Sequence, residues 1–212
     1  MSAHHAPDWV PHREGTGIKH DGTFATWLGM ISFTFFMGVF VAANVYLRGW
    51  APDKFNVDFG QFADMPEYTT LILLVAGFIL LLAGSAFRSN AYKRFQALMI
   101  LATLAIFGYA ISLMWMIVHT YYLGANAWTT HLGIYSCQMI LAVVCMVFMF
   151  FVGKAFAERN EKGLRTLVPI TLSIFLYTVV TGLLIFIVTD VVSIEQFAEW
   201  CGTKLNIIDA QK

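Results

Sequence analysis

The chain has 212 residues and a formal net charge of zero, with 58% hydrophobic and only 12% charged residues and a mean hydropathy of +0.69. A water-soluble domain carries about 25% charged residues, because its surface must be wetted. Half that share excludes a soluble domain, and the surplus apolar surface must meet lipid.

Residues 1–23, "MSAHHAPDWVPHREGTGIKHDGT", form a polar tail with no apolar h-region and no small-residue cleavage site, so no cleavable signal peptide is expected. Its histidines, His4, His5, His12 and His20, match no standard metal spacing. The first apolar run, Phe24–Leu47, is expected to serve as an uncleaved insertion signal and first span. Four more runs follow, at Tyr68–Phe87, Phe95–Val118, His131–Gly153 and Thr166–Thr189. Each reaches the roughly 20 apolar residues that a helix needs to cross a hydrocarbon core about 30 Å thick. None of the five contains Asp, Glu, Lys or Arg. In lipid every backbone amide must be satisfied within its own segment, which dictates helices. The alternating segments of a membrane barrel are missing. The expected fold is therefore an all-α integral membrane protein, a bundle of five transmembrane helices across residues 24–190. Pro169, the one proline within a predicted span, is placed in the first turn, where proline is tolerated.

The segments between the spans set the orientation. The tail carries Arg13 and Lys19, the second loop Arg88, Lys93 and Arg94, and the fourth loop Lys154, Arg159, Lys162 and Arg165. The first loop has Arg48 and Lys54 among acids, the third ("TYYLGANAWTT") has no basic residue, and the C-terminal segment has Lys204 and Lys212. Basic residues concentrate on the cytoplasmic side of membrane proteins, so the N-terminus is expected in the cytoplasm and the C-terminus outside. Trp27, Tyr46, Trp50, Tyr92, Tyr121, Tyr122 and Trp128 lie near span ends, where amphipathic rings settle at the headgroups. In the last segment, 191–212, Ile194, Phe197, Cys201, Leu205 and Ile208 make one apolar stripe beside Glu195 and Glu199. That spacing predicts a short amphipathic helix on the outer membrane surface or against a partner subunit.

Residues that carry chemistry are few, and no catalytic residue is assigned. Asn44 and Gln138 are the strongest polar groups inside spans and are expected to hydrogen-bond across helices. Cys137 and Cys145 read as small packing residues, and with Cys201 they form no CxxC. His119 ends the third span and His131 begins the fourth, so an antiparallel pair of helices makes them candidates for a haem or a metal near the surface. The bland alternative is two wetted interfacial histidines. Arg88, Lys93 and Arg94, in "FRSNAYKRF", are expected to meet anionic lipid headgroups. Small residues, Gly29 to Gly38 in the first span and Ala76, Gly77, Ala83, Gly84 and Ala86 in the second, offer surfaces for close helix packing. No phosphate-cradling loop, GxSxG, HExxH or polybasic face for nucleic acid occurs.

The layout resembles the short, five-helix form of subunit III of haem–copper terminal oxidases. The first span, "WLGMISFTFFMGVFVAANVYLRGW", is similar to that family's opening, from Leu28-Gly29 through a Phe-rich middle to Ala42-Ala43-Asn44-Val45-Tyr46-Leu47-Arg48. The next two spans resemble its following helices at Thr70-Leu71-Ile72-Leu73-Leu74 and Thr103-Leu104-Ala105-Ile106-Phe107-Gly108, joined by a short basic turn. The likeness runs from about Thr23 to Thr189. The chain departs from the family at three places: no acid near Ile31-Ser32, none near Leu113-Met114-Trp115, and no histidine pair around Cys137 to Ile140.

The resemblance implies a non-catalytic auxiliary subunit in the cytoplasmic membrane of a bacterium. It would hold no cofactor, bind phospholipid and lie beside subunit I of a complex that couples oxygen reduction to proton pumping. Haem and copper would sit in the partner subunits. Two other readings stay open: a cofactor-free membrane subunit of another respiratory or oxygenase complex, and a small haem b anchor resting on His119 and His131.

Overall fold

The computed structural model describes residues 21–55 and 62–191. The tail histidines and the expected C-terminal amphipathic helix lie outside the described residues. Within them the chain is helical and has no strand. Five long helices account for most of it: α1 (Asp21–Trp50), α3 (Met65–Arg88), α4 (Tyr92–Leu123), α5 (Ala125–Ala157) and α6 (Glu161–Phe186). A four-residue turn of helix, α2 (Pro52–Phe55), follows α1, and a π-helical turn, Ile187–Val191, extends α6. All five long helices are apolar enough to cross a membrane, which makes this a multi-pass membrane protein.

Every long helix outruns its predicted span, α6 at its far end through the π-helical turn that carries it to Val191. Hydropathy stops at the first polar side chain, whereas the backbone ladder continues until a residue interrupts it. The predicted third loop is the clearest correction: Thr120–Leu123 and Ala125–Thr130 are helical, and only Gly124 separates α4 from α5. Gly124 has φ +118° and ψ 171°, a conformation open essentially to glycine alone. Pro169 is a second correction. It lies inside α6 rather than in its first turn, because the helix already begins at Glu161.

The two basic hairpins share one construction. After α3, Asn90 takes a left-handed φ of 58°, while Ala91 N–H donates to Ala86 O and Asn90 N–H to Phe87 O, at 2.9 and 3.1 Å. After α5, Arg159 does the same at φ 53°, with Asn160 N–H on Ala155 O at 2.9 Å and Arg159 N–H on Phe156 O at 3.2 Å. Both are Schellman closures, which satisfy the last carbonyls of a helix. Asn160 then caps α6, its Oδ1 accepting from Gly163 N–H at 2.9 Å.

Helices α3, α4, α5 and α6 form a closed ring, each packed on the next and α6 packed back on α3. Their buried residues recur every three or four positions, as with Thr69, Leu73, Ala76, Leu80 and Ala83 on α3 and Ala102, Ile106, Tyr109, Leu113 and Met116 on α4. Glycines let α3 and α6 close up: a Cβ on Gly77 would lie 2.8 Å from Val179, one on Gly84 2.8 Å from Leu172, and one on Gly182 2.4 Å from Leu73. Helix α1 stays outside the ring, in contact with α5 and α6. Its buried residues are Met30, Met37 and Asn44, seven apart, so it touches the bundle along one narrow seam.

Candidate functional site

Gln138 joins three helices in the apolar interior. Its Oε1 accepts from the Tyr109 hydroxyl of α4 at 2.8 Å, and its Nε2 faces Met37 Sδ of α1 at 3.9 Å. Gln138 and Tyr109 are each 2% exposed. About two helical turns towards the start of α5, Asn44 of α1 donates to the Thr130 carbonyl at 3.0 Å. Both interior amides thus bridge helices, as the sequence leads one to expect. Thr34 and Tyr177 exchange a further hydrogen bond at 2.8 Å between α1 and α6. Cys145 Sγ lies 3.3 Å from Thr178 Oγ1 between α5 and α6, and both Cys137 and Cys145 are free, buried thiols. Most other threonines donate back to their own helix, as Thr171 and Thr181 do.

The two candidate haem histidines have separate aromatic surroundings. His119 stacks on Trp115 (centroids 4.7 Å apart, planes 9° apart), with Phe62 edge-on to both rings. His131 is buried, and its ring lies 5.6 Å from that of Tyr135. Among the described residues no three His, Cys, Asp or Glu side chains gather as a metal site.

A charged cluster at this end of the bundle escaped the sequence reading. Arg48 of α1 donates to the Val188 carbonyl at 3.4 Å and interacts electrostatically with Asp190, and both act on buried Tyr135 of α5. Thr189 donates to the Asp190 carboxylate. Arg48 and Asp190 each lie one residue beyond a predicted span, which hid them as loop charges. The signal was their position: each follows the end of a span that runs in the same direction, the first and the fifth, so both fall at one membrane edge.

At the opposite end, Arg88, Lys93 and Arg94 are all exposed. The structure separates them. Lys93 lines a groove of about 500 Å³ between α4 and α5, together with Arg159 and Gln96, and Arg88 and Arg94 do not. The walls are apolar and include Met99, Ile100, Met149 and Val152. From Tyr92 to Thr103 the groove follows twelve residues of α4, eleven rises of 1.5 Å or about 16 Å. That is roughly half of a 30 Å hydrocarbon core, the depth of one leaflet.

Neither a scan against protein-family models nor a search of curated proteins finds a match for this chain.

Proposed function

We propose that this chain is a cofactor-free auxiliary subunit of a terminal respiratory oxidase, similar to subunit III, that stabilises the catalytic subunit and binds lipid. Its complex would couple oxygen reduction to proton pumping, with haem and copper held by subunit I and other partners. The N-terminus and both basic hairpins would face the bacterial cytoplasm and the C-terminus the outside, following the distribution of Lys and Arg.

The observation that carries a subunit reading is the position of α1. A full membrane span is held to the ring by one seam, and Gly29 and Gly38 face outward, where an added Cβ would meet no other described residue within 4 Å. Outward glycines in a lipid-facing helix permit a neighbouring backbone to approach closely, which drives association where hydrophobic collapse cannot. The family resemblance, span by span, supplies the choice of an oxidase. The interior groups support a structural role, since Asn44, Gln138 and Tyr109 are spent on tying helices together.

The groove between α4 and α5 supports lipid binding. One acyl chain of an anionic phospholipid would fill its apolar length, with the phosphate between Lys93 and Arg159. Each cation near the surface contributes about 1 kcal/mol. Lys93→Gln should thus lower retention of phosphatidylglycerol roughly fivefold, read by native mass spectrometry, and leave phosphatidylcholine unchanged. Equal loss of both lipids, which share the phosphate, would refute a preference for the anionic headgroup.

Gentle purification of the tagged chain from native membranes, with mass spectrometry of what comes with it, tests the whole reading. An oxidase subunit I should co-purify. A set of partners from a different respiratory complex would favour the scaffold alternative, which the same peripheral α1 also suits.

A further inference from the structure

Inside the ring, at the end where α3 begins and α6 finishes, a narrow crevice of about 30 Å³ runs between Thr69, Tyr109, Tyr135, Gln138, Thr189 and Asp190. Polar side chains from α3, α4, α5 and the π-helical turn converge there, in a bundle whose interior is largely apolar. Beside the Tyr109–Gln138 hydrogen bond, the space exists because residue 182 is glycine: a Cβ there would lie 3.4 Å from Gln138 Oε1 and 3.7 Å from the Tyr109 hydroxyl. At the surface stands Asp190, exposed, accepting from Thr189, with Arg48 and Glu67 as the charged groups that act on it. A carboxylate offers about four acceptor positions, so Thr189 leaves most of them open.

Tyr135 decides what the crevice holds. It lines the crevice, is only 4% exposed, and its hydroxyl has no hydrogen-bond partner among the described residues. A buried hydroxyl without a partner is costly, and native structures satisfy such groups with protein or with ordered water. A water needs about 10–15 Å³ and two to four polar partners, so this crevice admits about two. The partners are the Tyr135 hydroxyl, the Asp190 carboxylate, the threonine hydroxyls and the Gln138–Tyr109 pair.

We infer that the crevice is an internal hydration site. One or two waters enter at Asp190, bridge the Tyr135 hydroxyl towards the carboxylate and stop at the Tyr109–Gln138 hydrogen bond. The ligand is water, since the volume is too small for a larger solute. The file is blind. It brings solvent and exchangeable protons into the ring as far as Gln138 and does not cross the membrane. The site follows from the residues of this chain alone and stands whichever complex the chain serves.

The test uses the full chain in lipid nanodiscs, with a fluorotyrosine (fluorine ortho to the hydroxyl) at position 135 alone. Fluorine NMR in ordinary and heavy water reads solvent contact directly, and the same label at exposed Tyr122 supplies the reference. The expected isotope shift at position 135 is at least half that at position 122, despite burial, and Asp190→Leu abolishes it by plugging the mouth. A shift at position 135 indistinguishable from zero would show a dry crevice and overturn the inference. A full shift surviving Asp190→Leu would overturn entry at Asp190. The unsubstituted chain decides hydration by itself, even where Asp190→Leu fails to fold.

Discussion

Single residues in this protein act by geometry more than by charge. Gly124 alone turns α4 into α5, at a φ and ψ that a Cβ disfavours. Gly124→Ala should therefore cost about 1–3 kcal/mol of unfolding free energy. Reversible unfolding in mixed micelles measures it, and a variant as stable as the parent would mean that the turn relaxes freely. Gln138 is the second such residue. Gln138→Leu leaves the Tyr109 hydroxyl buried and without an acceptor, for an expected loss of about 1 kcal/mol. Adding Tyr109→Phe removes the stranded hydroxyl, so the double variant should regain most of that loss. If the two substitutions simply add, the hydrogen bond is not what makes Gln138 matter.

At the scale of helices and turns, the spans were legible in the sequence because lipid demands long uncharged runs. Their faces were not. In water, alternation of polar and apolar residues reveals which side of a helix is buried. Here α4 exposes Leu104, Phe107 and Ile111 to lipid and buries Ile106, Tyr109 and Leu113, and hydropathy cannot tell the two sets apart. Small residues mislead for the same reason. Gly77 and Gly84 pack on α6, while Gly29 and Gly38 meet nothing among the described residues. Asn44 and Gln138 were readable because a strong polar group in lipid must find a partner. Arg48 and Asp190 were missed because helices continue past the last apolar residue.

The second basic turn yields a prediction at this scale. Arg159 holds a left-handed conformation that costs a residue with a Cβ about 1 kcal/mol or more, and it also lines the lipid groove. Arg159→Gly should raise thermal stability, by about 1 kcal/mol, and at the same time weaken retention of anionic lipid. Parallel thermal unfolding and native mass spectrometry separate the two effects. A variant that loses stability and keeps its lipid would contradict both assignments.

The described residues form a closed ring of four long helices with a fifth laid against it, and their strongest interior polar groups hold helices together or line one narrow crevice. Such an object suits a part of a larger machine. Its proposed orientation places the Ser89–Ala91 turn in the cytoplasm, so a cysteine introduced at Ser89 in a Cys137→Ala, Cys145→Ala, Cys201→Ala background should resist impermeant maleimide in intact cells and react after lysis. Reaction in intact cells would invert the topology. The central claim, an auxiliary subunit without a cofactor beside a haem-bearing partner, is tested most directly by one optical comparison. The spectrum of the complex purified through this chain is set against that of the chain expressed and purified alone. The account predicts haem bands in the complex, with oxidase subunit I identified in it by mass spectrometry, and none in the isolated chain. A stoichiometric haem band in the isolated chain, lost on His119→Ala or His131→Ala, would contradict it and establish the haem-anchor reading.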